Sequence, residues 1–348
     1  MAENGAGLFE INLLNRFHVL SDDDSGYDIP IDDPNLPVTV DNKSHLHNDS
    51  NTDNFDCGSW HGTTSIDDHI NSNDEEVRYT ILTETTTRAN RDLICKHGTF
   101  NSCSECKSAY GTFKKKIAKL KGLKVAHINI HSLYPKVEEI RFLLLNTGLD
   151  ILCISETWLD EVISQGELHV DGYCLLRRDR NRHGGGVTIY VKNGMDYTVR
   201  SDLNSDTVEC IWIEINVNKG QPILVCCMYR PPSATNEYYG QMLDLCEQAM
   251  SQDKDMLIIG DLNYNYKIDE SLNNNPLHYM ENLFLLSQLV EKHTRVTPSS
   301  STLIDVILSS IPEKHTHCDT VKIALSDHYL IYTCIDVSIQ NKGHRTLR

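Results

Sequence analysis

Short apolar runs of strand length dominate residues 125–338, and this pattern limits the fold more than any other feature. Examples are "VAHINI", "DILCIS", "PILVCCMYR" and "DMLIIGD". Three segments between them have helical spacing: "PKVEEIRFLLLNTG", "EYYGQMLDLCEQAMSQ" and "PLHYMENLFLLSQLVEK". These helices are too few for a strict strand–helix–strand repeat. The pattern therefore predicts an α/β fold with two packed mixed sheets and helices on their outer faces.

Polar side chains end or follow several of these runs. Any one of them is what a turn or a helix cap requires, so one alone predicts little. Six strand ends in one domain that all supply such groups form a set. Because strand ends can meet at one rim of a sheet, we expect them to converge; they are Asn129, Glu156, Tyr229, Arg230, Asp261, Asn263, Asp305, Asp327 and His328.

This set suits metal-assisted hydrolysis of a phosphoester. Carboxylates and carboxamides are hard oxygen ligands of the kind that Mg²⁺ or Mn²⁺ takes. Asp261 and Asn263 are two residues apart, so both side chains point to one face of a strand end. The His after the Asp in "SDHYL" can be held in one tautomer and kept charged near neutral pH. The glycines of "HGGGVTIYV" lack the Lys-Ser or Lys-Thr of a P-loop, and we interpret them as a tight turn into a strand.

Charge is distributed unevenly along the chain. Residues 1–76 carry 17 acidic and 2 basic side chains, which is most of the net charge of −17. This segment predicts a disordered acidic tail, either a spacer or a partner-binding segment. Residues 77–122 predict a basic linker rich in Cys and Lys, 123–338 the folded domain, and 339–348 a C-terminal tail. The stretch "KSAYGTFKKKIAKLKGLK" predicts either a solvated helix or linker, or an arm that contacts phosphates or forms part of a localisation signal.

Cysteine usage and the N-terminus indicate the compartment. The start "MAENGAGLFEINLLNRF" lacks the basic and apolar regions of a signal peptide, and no apolar stretch approaches the about 20 residues that cross a bilayer. Twelve cysteines without a secretory signal predict reduced thiols in an intracellular compartment, with the nucleus favoured. Four of them lie in apolar runs and are expected in the core: Cys153, Cys210, Cys226 and Cys227. Zinc is an alternative to incidental thiols for Cys95, His97, Cys103 and Cys106, since the last two have a suitable spacing.

The order of the motifs carries a resemblance. The series N…ETW…GGG…YRPP…GDLN…ID…SDH, with "SETWLD" and "RRDRNRHGGGVTIYV" the most telling pieces, resembles the endonuclease/exonuclease/phosphatase superfamily. More narrowly, it is similar to the apurinic-endonuclease-like domain of LINE-type (non-LTR) retrotransposons. The resemblance covers roughly residues 123–338. It implies a four-layered α/β sandwich, which agrees with the strand pattern.

The resemblance also implies roles, position by position. Glu156 matches the metal-binding acid of the family, Asn129 the amide near the metal and the phosphate, and Asp327 an acid near the metal. Asp261 matches the acid that orients or deprotonates the attacking water. Asn263 matches the amide that helps to hold that water and the phosphate. The implied cofactor is Mg²⁺, with Mn²⁺ as an alternative.

The remaining roles concern the phosphate and the DNA. Tyr229 and His328 match residues that contact the scissile phosphate, and Asp305 matches the acid that orients His328. The chain departs from the family at Thr302, where Ser is frequent, and at His131, which is acidic in some repair relatives. DNA contacts are expected from Arg230, Thr302, Arg177 and Arg180.

Taken together, these features predict a Mg²⁺-dependent DNA endonuclease that nicks duplex DNA and leaves a 3′-hydroxyl. The chain lacks a polymerase motif after its last strand, so we interpret it as an endonuclease-only fragment or a derived gene, and a reverse transcriptase acting in trans is one partner that this interpretation allows. One alternative keeps the fold but acts on abasic DNA, RNA or a phosphorylated small molecule, which the acidity of residues 125–348 favours. Another is a non-catalytic nucleic-acid-binding remnant.

Overall fold

A computed structural model of the chain describes residues 94–95, 98–99, 104–266 and 275–341. The predicted acidic tail at 1–76 and most of the basic linker lie outside these residues. So do the side chains of the candidate zinc group, which are those of Cys95, His97, Cys103 and Cys106. Within the described residues, no helix is long and apolar enough to cross a membrane.

Four helices and sixteen strands are described. The helices are α1 (Ser104–Ile117), α2 (Val137–Thr147), α3 (Asn236–Met250) and α4 (Pro276–Phe284). The strands are β1 (Ile94–Cys95), β2 (Gly98–Thr99), β3 (Leu123–Asn129), β4 (Ile151–Ser155), β5 (Tyr173–Arg178), β6 (Val187–Lys192), β7 (Tyr197–Val199), β8 (Glu209–Ile215), β9 (Ile223–Tyr229), β10 (Asp255–Asp261), β11 (Ser287–Gln288), β12 (Arg295–Val296), β13 (Ser301–Thr302), β14 (Asp305–Ser309), β15 (His315–Val321) and β16 (Leu330–Ile335).

Two six-stranded mixed sheets form the centre of the fold, as predicted. The first has the order β15-β16-β3-β4-β6-β5 and the second has the order β11-β14-β10-β9-β8-β7. In each, one central pair is parallel, β3 with β4 and β9 with β10, and the other neighbours are antiparallel. The second sheet forms one core with the first, while α1 and α2 pack on the other face of the first sheet.

Alternation along β3 shows how one strand serves two cores. Val125 belongs to the core between the sheets, whereas Ala126 and Ile128 pack in the cluster with α1 and α2. Successive side chains of a strand point to opposite faces, so a strand buried on both sides reads as a continuous apolar run. The four cysteines expected in the core are free and buried.

Helix boundaries follow local chemistry. The α2 helix follows a short turn that contains Pro135. The helix stops before Gly148, which caps it in the left-handed conformation with φ 67°. The sequence pattern predicted that α4 continues to residue 292, but the helix ends at Phe284 because Leu285 turns left-handed with φ 50°. Ser287–Gln288 then pairs with β14 at the edge of the second sheet. Residues whose spacing predicted a helix therefore form a strand.

The α1 helix lies within the segment that the sequence assigned to the linker. Phe113 meets the ring of Tyr332 edge-on at 4.9 Å between centroids, and Tyr110 lies 5.3 Å from Phe142. Tyr110, Phe113 and Ile117 are spaced three and four apart, so they form one apolar stripe between the lysines. The helix therefore belongs to the packed core of the first sheet.

Candidate active site

The carboxyl ends of the two parallel strand pairs meet at one rim of the sandwich. Asn129 pairs with Ser155 across β3 and β4, and Asp261 pairs with Tyr229 across β9 and β10. The side-chain amide of Asn129 donates to Asp261 Oδ2 at 2.8 Å and so joins the two sheets. Each parallel pair ends on one side of its own sheet, and the packing of the two sheets brings these ends together, so residues 132 positions apart meet there.

Asp261 occupies the centre of this rim and is almost fully buried. Its Oδ1 accepts the backbone N–H of Asn263 at 3.0 Å, and Asn263 itself turns left-handed with φ 51°. The preceding Gly260 packs against the neighbouring strand so closely that a Cβ there would overlap the carbonyl oxygen of Met228. The sequence "GDLN" thus ends a central strand with its carboxylate fixed at both oxygens.

His328 and Asp305 form a hydrogen-bonded couple beside Asp261. Nδ1 of His328 lies 2.8 Å from Asp305 Oδ2 and 3.9 Å from Asp261 Oδ2. Asp305 is held in turn by Thr294, whose Oγ1 accepts the backbone N–H of Asp305 at 3.0 Å. The Ser326 hydroxyl donates to the carbonyl of Asn129 at 2.6 Å and accepts the N–H of His328 at 3.1 Å. Both the ring and its partner are therefore fixed.

Charge in this couple is set by burial and by neighbouring carboxylates. Burial lowers the pKa of His328, but Asp305, Asp261 and Asp327 outweigh it and raise that pKa to about 9. Burial would raise the pKa of Asp305, but contact with His328 holds it below its usual range. Burial and the charge of Asp305 raise the pKa of Asp261. Near neutral pH, His328 is accordingly an imidazolium that donates through Nδ1 to Asp305.

The hydrogen bond of His328 Nδ1 to Asp305 at 2.8 Å bears on what the cluster can hold. Ligand atoms of Asp261, Asp305 and His328 lie within 4.8 Å of one another, which makes them the one such group of His, Cys, Asp and Glu in the part of the chain that the structure describes. A protonated imidazole has no lone pair for a metal ion. The three residues are better described as an acid–base couple next to a carboxylate than as a set of metal ligands.

Glu156 offers a better place for a divalent ion. The Tyr229 hydroxyl donates to its Oε1, and the Trp158 indole and the Gly185 N–H, the latter at 2.9 Å, donate to Oε2. A carboxylate has about four acceptor positions, so one remains. The side-chain oxygen of Asn129 accepts one hydrogen bond, from the N–H of His131 at 3.2 Å, and has a second position. These hard oxygen donors fit Mg²⁺ or Mn²⁺.

Backbone strain is concentrated at the same rim. Non-glycine residues with positive φ cost energy unless the surroundings over-determine them, and they cluster at functional sites. In the first sheet they follow β3 and β4, where Ser132 N–H donates to the carbonyl of Glu156 at 2.8 Å. In the second sheet one of them follows β10. The five residues are His131, Ser132, Glu156, Trp158 and Asn263, with φ between 51° and 78°.

Asp327 and Asn263 have partners of their own. Asp327 accepts from Nε of Arg295 at 2.9 Å, so its carboxylate is in an ion pair at the rim, next in sequence to His328. The side-chain amide of Asn263 donates to the carbonyl of Arg230 at 2.8 Å. Thr302 lies on β13, paired with Arg295 on β12. The roles of these residues toward a metal, water or DNA stay predictions.

The three arginines expected to contact DNA have partners inside the protein. Arg177 donates to Asp179 and to two backbone carbonyls. Arg180 donates to Glu209 at 2.8 Å. Arg230 is buried, lies 4.0 Å from the ring centroid of Tyr264 and donates to a backbone carbonyl. Their guanidinium groups hold loops and a carboxylate in place.

Sequence reasoning missed three polar residues around the site: His127, Thr294 and Glu209. His127 is fully buried, its Nε2 lies 3.0 Å from Ser155 Oγ and its Nδ1 lies 3.7 Å from Asp305 Oδ1. Burial lowers its pKa to about 4, so it is neutral beneath the Asp305–His328 couple. A histidine inside the apolar run "VAHINI" was a visible signal for it. No local pattern singles out Thr294 or Glu209.

Comparison with known proteins identifies the fold. The model of the Endonuclease/Exonuclease/phosphatase family matches residues 126–328. The solved endonuclease domain of TRAS1, a telomere-specific non-LTR retrotransposon, is 15% identical, with 62% of this chain and 98% of that chain covered and a TM-score of 0.50. The Xenopus laevis APE2 catalytic domain is 16% identical (64% and 94% covered, TM-score 0.49), and the 3′-5′ exonuclease NExo from Neisseria meningitidis is 16% identical (62% and 100% covered, TM-score 0.48). No curated protein matches the chain.

Proposed function

Because this chain belongs to the endonuclease/exonuclease/phosphatase family, we propose that its strand-end site cleaves phosphodiester bonds of duplex DNA with Mg²⁺ and leaves a 3′-hydroxyl. Members of the family are hydrolytic nucleases and phosphatases and generally depend on a divalent metal ion. The TRAS1 domain, which has this fold, belongs to a retrotransposon. A nick of this kind would prime a reverse transcriptase acting in trans, and we expect the protein in the nucleus.

The observation that carries the proposal is the meeting of Asp261 with the Asp305–His328 couple. Asp261 is fixed by Asn129 and by the N–H of Asn263, and its raised pKa makes it a stronger base than an exposed carboxylate. It can orient a water molecule and take its proton. Both described partners of the His328 ring are at Nδ1, so Nε2–H is left to donate to a phosphate oxygen.

Glu156 and Asn129 would hold the ion. When bound, a divalent ion neutralises charge on the phosphate oxygens. Tyr229 fixes the Glu156 carboxylate from the opposite sheet through its hydroxyl. Each sheet thus contributes residues both to the base and to the ion site, which keeps Asp261 and the ion at a fixed distance from each other.

A plasmid assay tests the proposal. Purified protein should nick supercoiled plasmid with Mg²⁺ and lose this activity in EDTA. Asp261→Asn and His328→Ala should each slow nicking by about 10²-fold or more. Asp255→Asn is the matched control, since Asp255 begins the same strand and pairs with Lys314 away from the rim. Extension of the nick by a DNA polymerase reports the 3′-hydroxyl. Full activity of both site variants would end the proposal.

A second candidate keeps the site but changes the substrate to RNA, abasic DNA or a phosphorylated small molecule. The internal pairing of Arg177, Arg180 and Arg230 favours the phosphorylated small molecule among these, because a long nucleic-acid backbone normally meets unpaired cations. Hydrolysis of a phosphoinositide or of RNA, with intact plasmid under the same conditions, would establish this alternative.

A further inference from the structure

Two carboxylates share one glycine turn at the edge of the site. The N–H of Gly185 donates to Oε2 of Glu156 at 2.9 Å, and the N–H of Gly186, the next residue, donates to Oε2 of Glu209. Glu156 follows β4 of the first sheet, whereas Glu209 begins β8 of the second. Consecutive amides therefore hold two acids from different sheets side by side.

Arg180 completes this arrangement. Its Nη1 donates to Oε1 of Glu209 at 2.8 Å and its Nε donates to the carbonyl of Gly184 at 2.9 Å. Glu209 is largely buried, with 10% of its side chain exposed, against 38% for Arg180. A buried carboxylate beside another is costly without a counter-ion, and Arg180 supplies it.

The guanidinium group is also within reach of Glu156. A Cβ built on Gly184 would lie 2.6 Å from Nη2 of Arg180 and 3.9 Å from Oε2 of Glu156. Both groups thus border one small space. A rotation of the Arg180 side chain toward Glu156 would place its positive charge beside the carboxylate whose Oε1 has the open position. That charge would repel a divalent ion and so weaken its binding.

The glycines shape the seat of this ion pair. Gly185 has φ 67°, which an L side chain rarely adopts, and a Cβ there would overlap both the Arg180 guanidinium and the Glu209 carboxylate. The "HGGG" motif therefore does more than turn the chain. The absence of side chains lets Arg180 approach the turn closely while the amides of Gly185 and Gly186 donate to the two acids.

We propose that Glu209 is a positioning residue that holds Arg180 in the Gly184–Gly186 turn and so keeps the Glu156 carboxylate open for a divalent ion. This inference rests on the proposed function, because it takes Glu156 as a metal ligand. It assigns Arg180 to the metal site and not to DNA. It also explains why a second acid is kept buried next to the first.

The proposal makes a prediction that a merely structural role does not. Glu209→Gln frees Arg180 to pair with Glu156, so the affinity for a divalent ion should fall. The double variant Arg180→Gln/Glu209→Gln has lost the competing cation as well, so its affinity should return toward that of the wild type. A simple loss of packing would instead be as severe or worse in the double variant.

Binding of Mn²⁺ alone, followed by the electron paramagnetic resonance of the free ion, provides a readout independent of activity. We expect binding about tenfold weaker for Glu209→Gln and within about threefold of the wild type for the double variant. Glu214→Gln is the matched control, since Glu214 lies on the same strand and pairs with Arg200 and Lys254. Circular dichroism melts confirm folding. If Glu209→Gln fails to fold, Glu209→Asp, which keeps the charge but shortens the reach, should show a several-fold loss.

Each outcome decides a different point. Wild-type affinity in Glu209→Gln, or a double variant as weak as the single one, overturns the inference and leaves the proposed function standing. Undiminished Mn²⁺ binding by Glu156→Gln overturns it too, because the ion would then be elsewhere. A wild-type protein that binds Mn²⁺ normally but cleaves no phosphoester contradicts the proposed function alone. A wild type that binds no Mn²⁺ contradicts both.

Discussion

Replacing Asp305 by asparagine should convert His328 from a charged to a neutral side chain at working pH. Asp305 is the largest of the charges that raise the pKa of His328 to about 9, ahead of Asp261 and Asp327, while burial acts in the opposite direction. His127, the other ring at Asp305, is neutral and adds no charge. In Asp305→Asn, the pKa of His328 should therefore fall toward its ordinary value of about 6.5.

The expected loss follows from the protonated fraction. With a pKa of about 9, nearly all His328 is protonated at about pH 7.5, whereas with a pKa of about 6.5 only about a tenth is. If the imidazolium stabilises the phosphate in the transition state, activity at that pH should fall by about tenfold from protonation alone. Loss of orientation of the ring adds to this effect of protonation.

The pH profile of plasmid nicking separates these two effects. The wild type should keep its activity up to an alkaline limb near pH 9, because the raised pKa keeps His328 charged below that value. In Asp305→Asn the limb should move down from about pH 9 toward about pH 6.5. Asp319→Asn, which loses ion pairs to Lys116 and Lys292, is the control and should keep the wild-type profile. An alkaline limb near 9 in Asp305→Asn would refute the assignment of the charge to this couple.

Three further outcomes are expected. Phe113→Ala should cost about 3–5 kcal/mol in urea unfolding, because the ring is buried against Tyr332; an unchanged midpoint would mean that α1 does not pack on the domain. Gly260→Ala should lower the free energy of unfolding by about 1–3 kcal/mol, because the added Cβ overlaps the backbone of Met228. Gly240→Ala, in an open position of α3, should raise it by about 0.5–1 kcal/mol. Equal effects of the two variants would contradict the close approach of Gly260 to the neighbouring strand. If the lysine-rich segment binds DNA, glutamine at three of its exposed lysines, Lys115, Lys119 and Lys121, should make the slope of log binding constant against log salt less steep. The expected change is about 0.9 for each phosphate that is no longer neutralised, and an unchanged slope would contradict the arm.

The strands and the polar ends of the strands could be read from the chain itself. Alternation and apolar runs are local properties, and the turn chemistry of "GDLN" or of Gly148 is decided within a few residues. Because strand ends can meet at one rim, the sequence also predicted that Asp261 and Asn129 would converge, although it did not show that their strands belong to two different sheets. The structure joins them directly at 2.8 Å.

The partners of long charged side chains could not be predicted in the same way. Arg180 lies in the loop after β5 of the first sheet, whereas Glu209, 29 residues later, begins β8 of the second. Nothing in the spacing indicates that they meet. The same holds for Arg230, which lies on the ring of Tyr264 beneath the surface. The sequence around an arginine does not show whether its side chain contacts DNA or a buried acid, because its partner depends on tertiary contacts.

By itself, the amino-acid sequence determined which chemical groups stand at the strand ends, since periodicity and turn residues act over a few positions. Only the tertiary structure decided which of those groups carry charge and which oxygens stay open. His328 is an imidazolium because Asp305 lies 2.8 Å away in a buried site, and Glu156 lies beside a second acid because two sheets pack face to face. Electrostatic interactions and burial depend on distances across the fold, and those distances exist only once the sheets have come together.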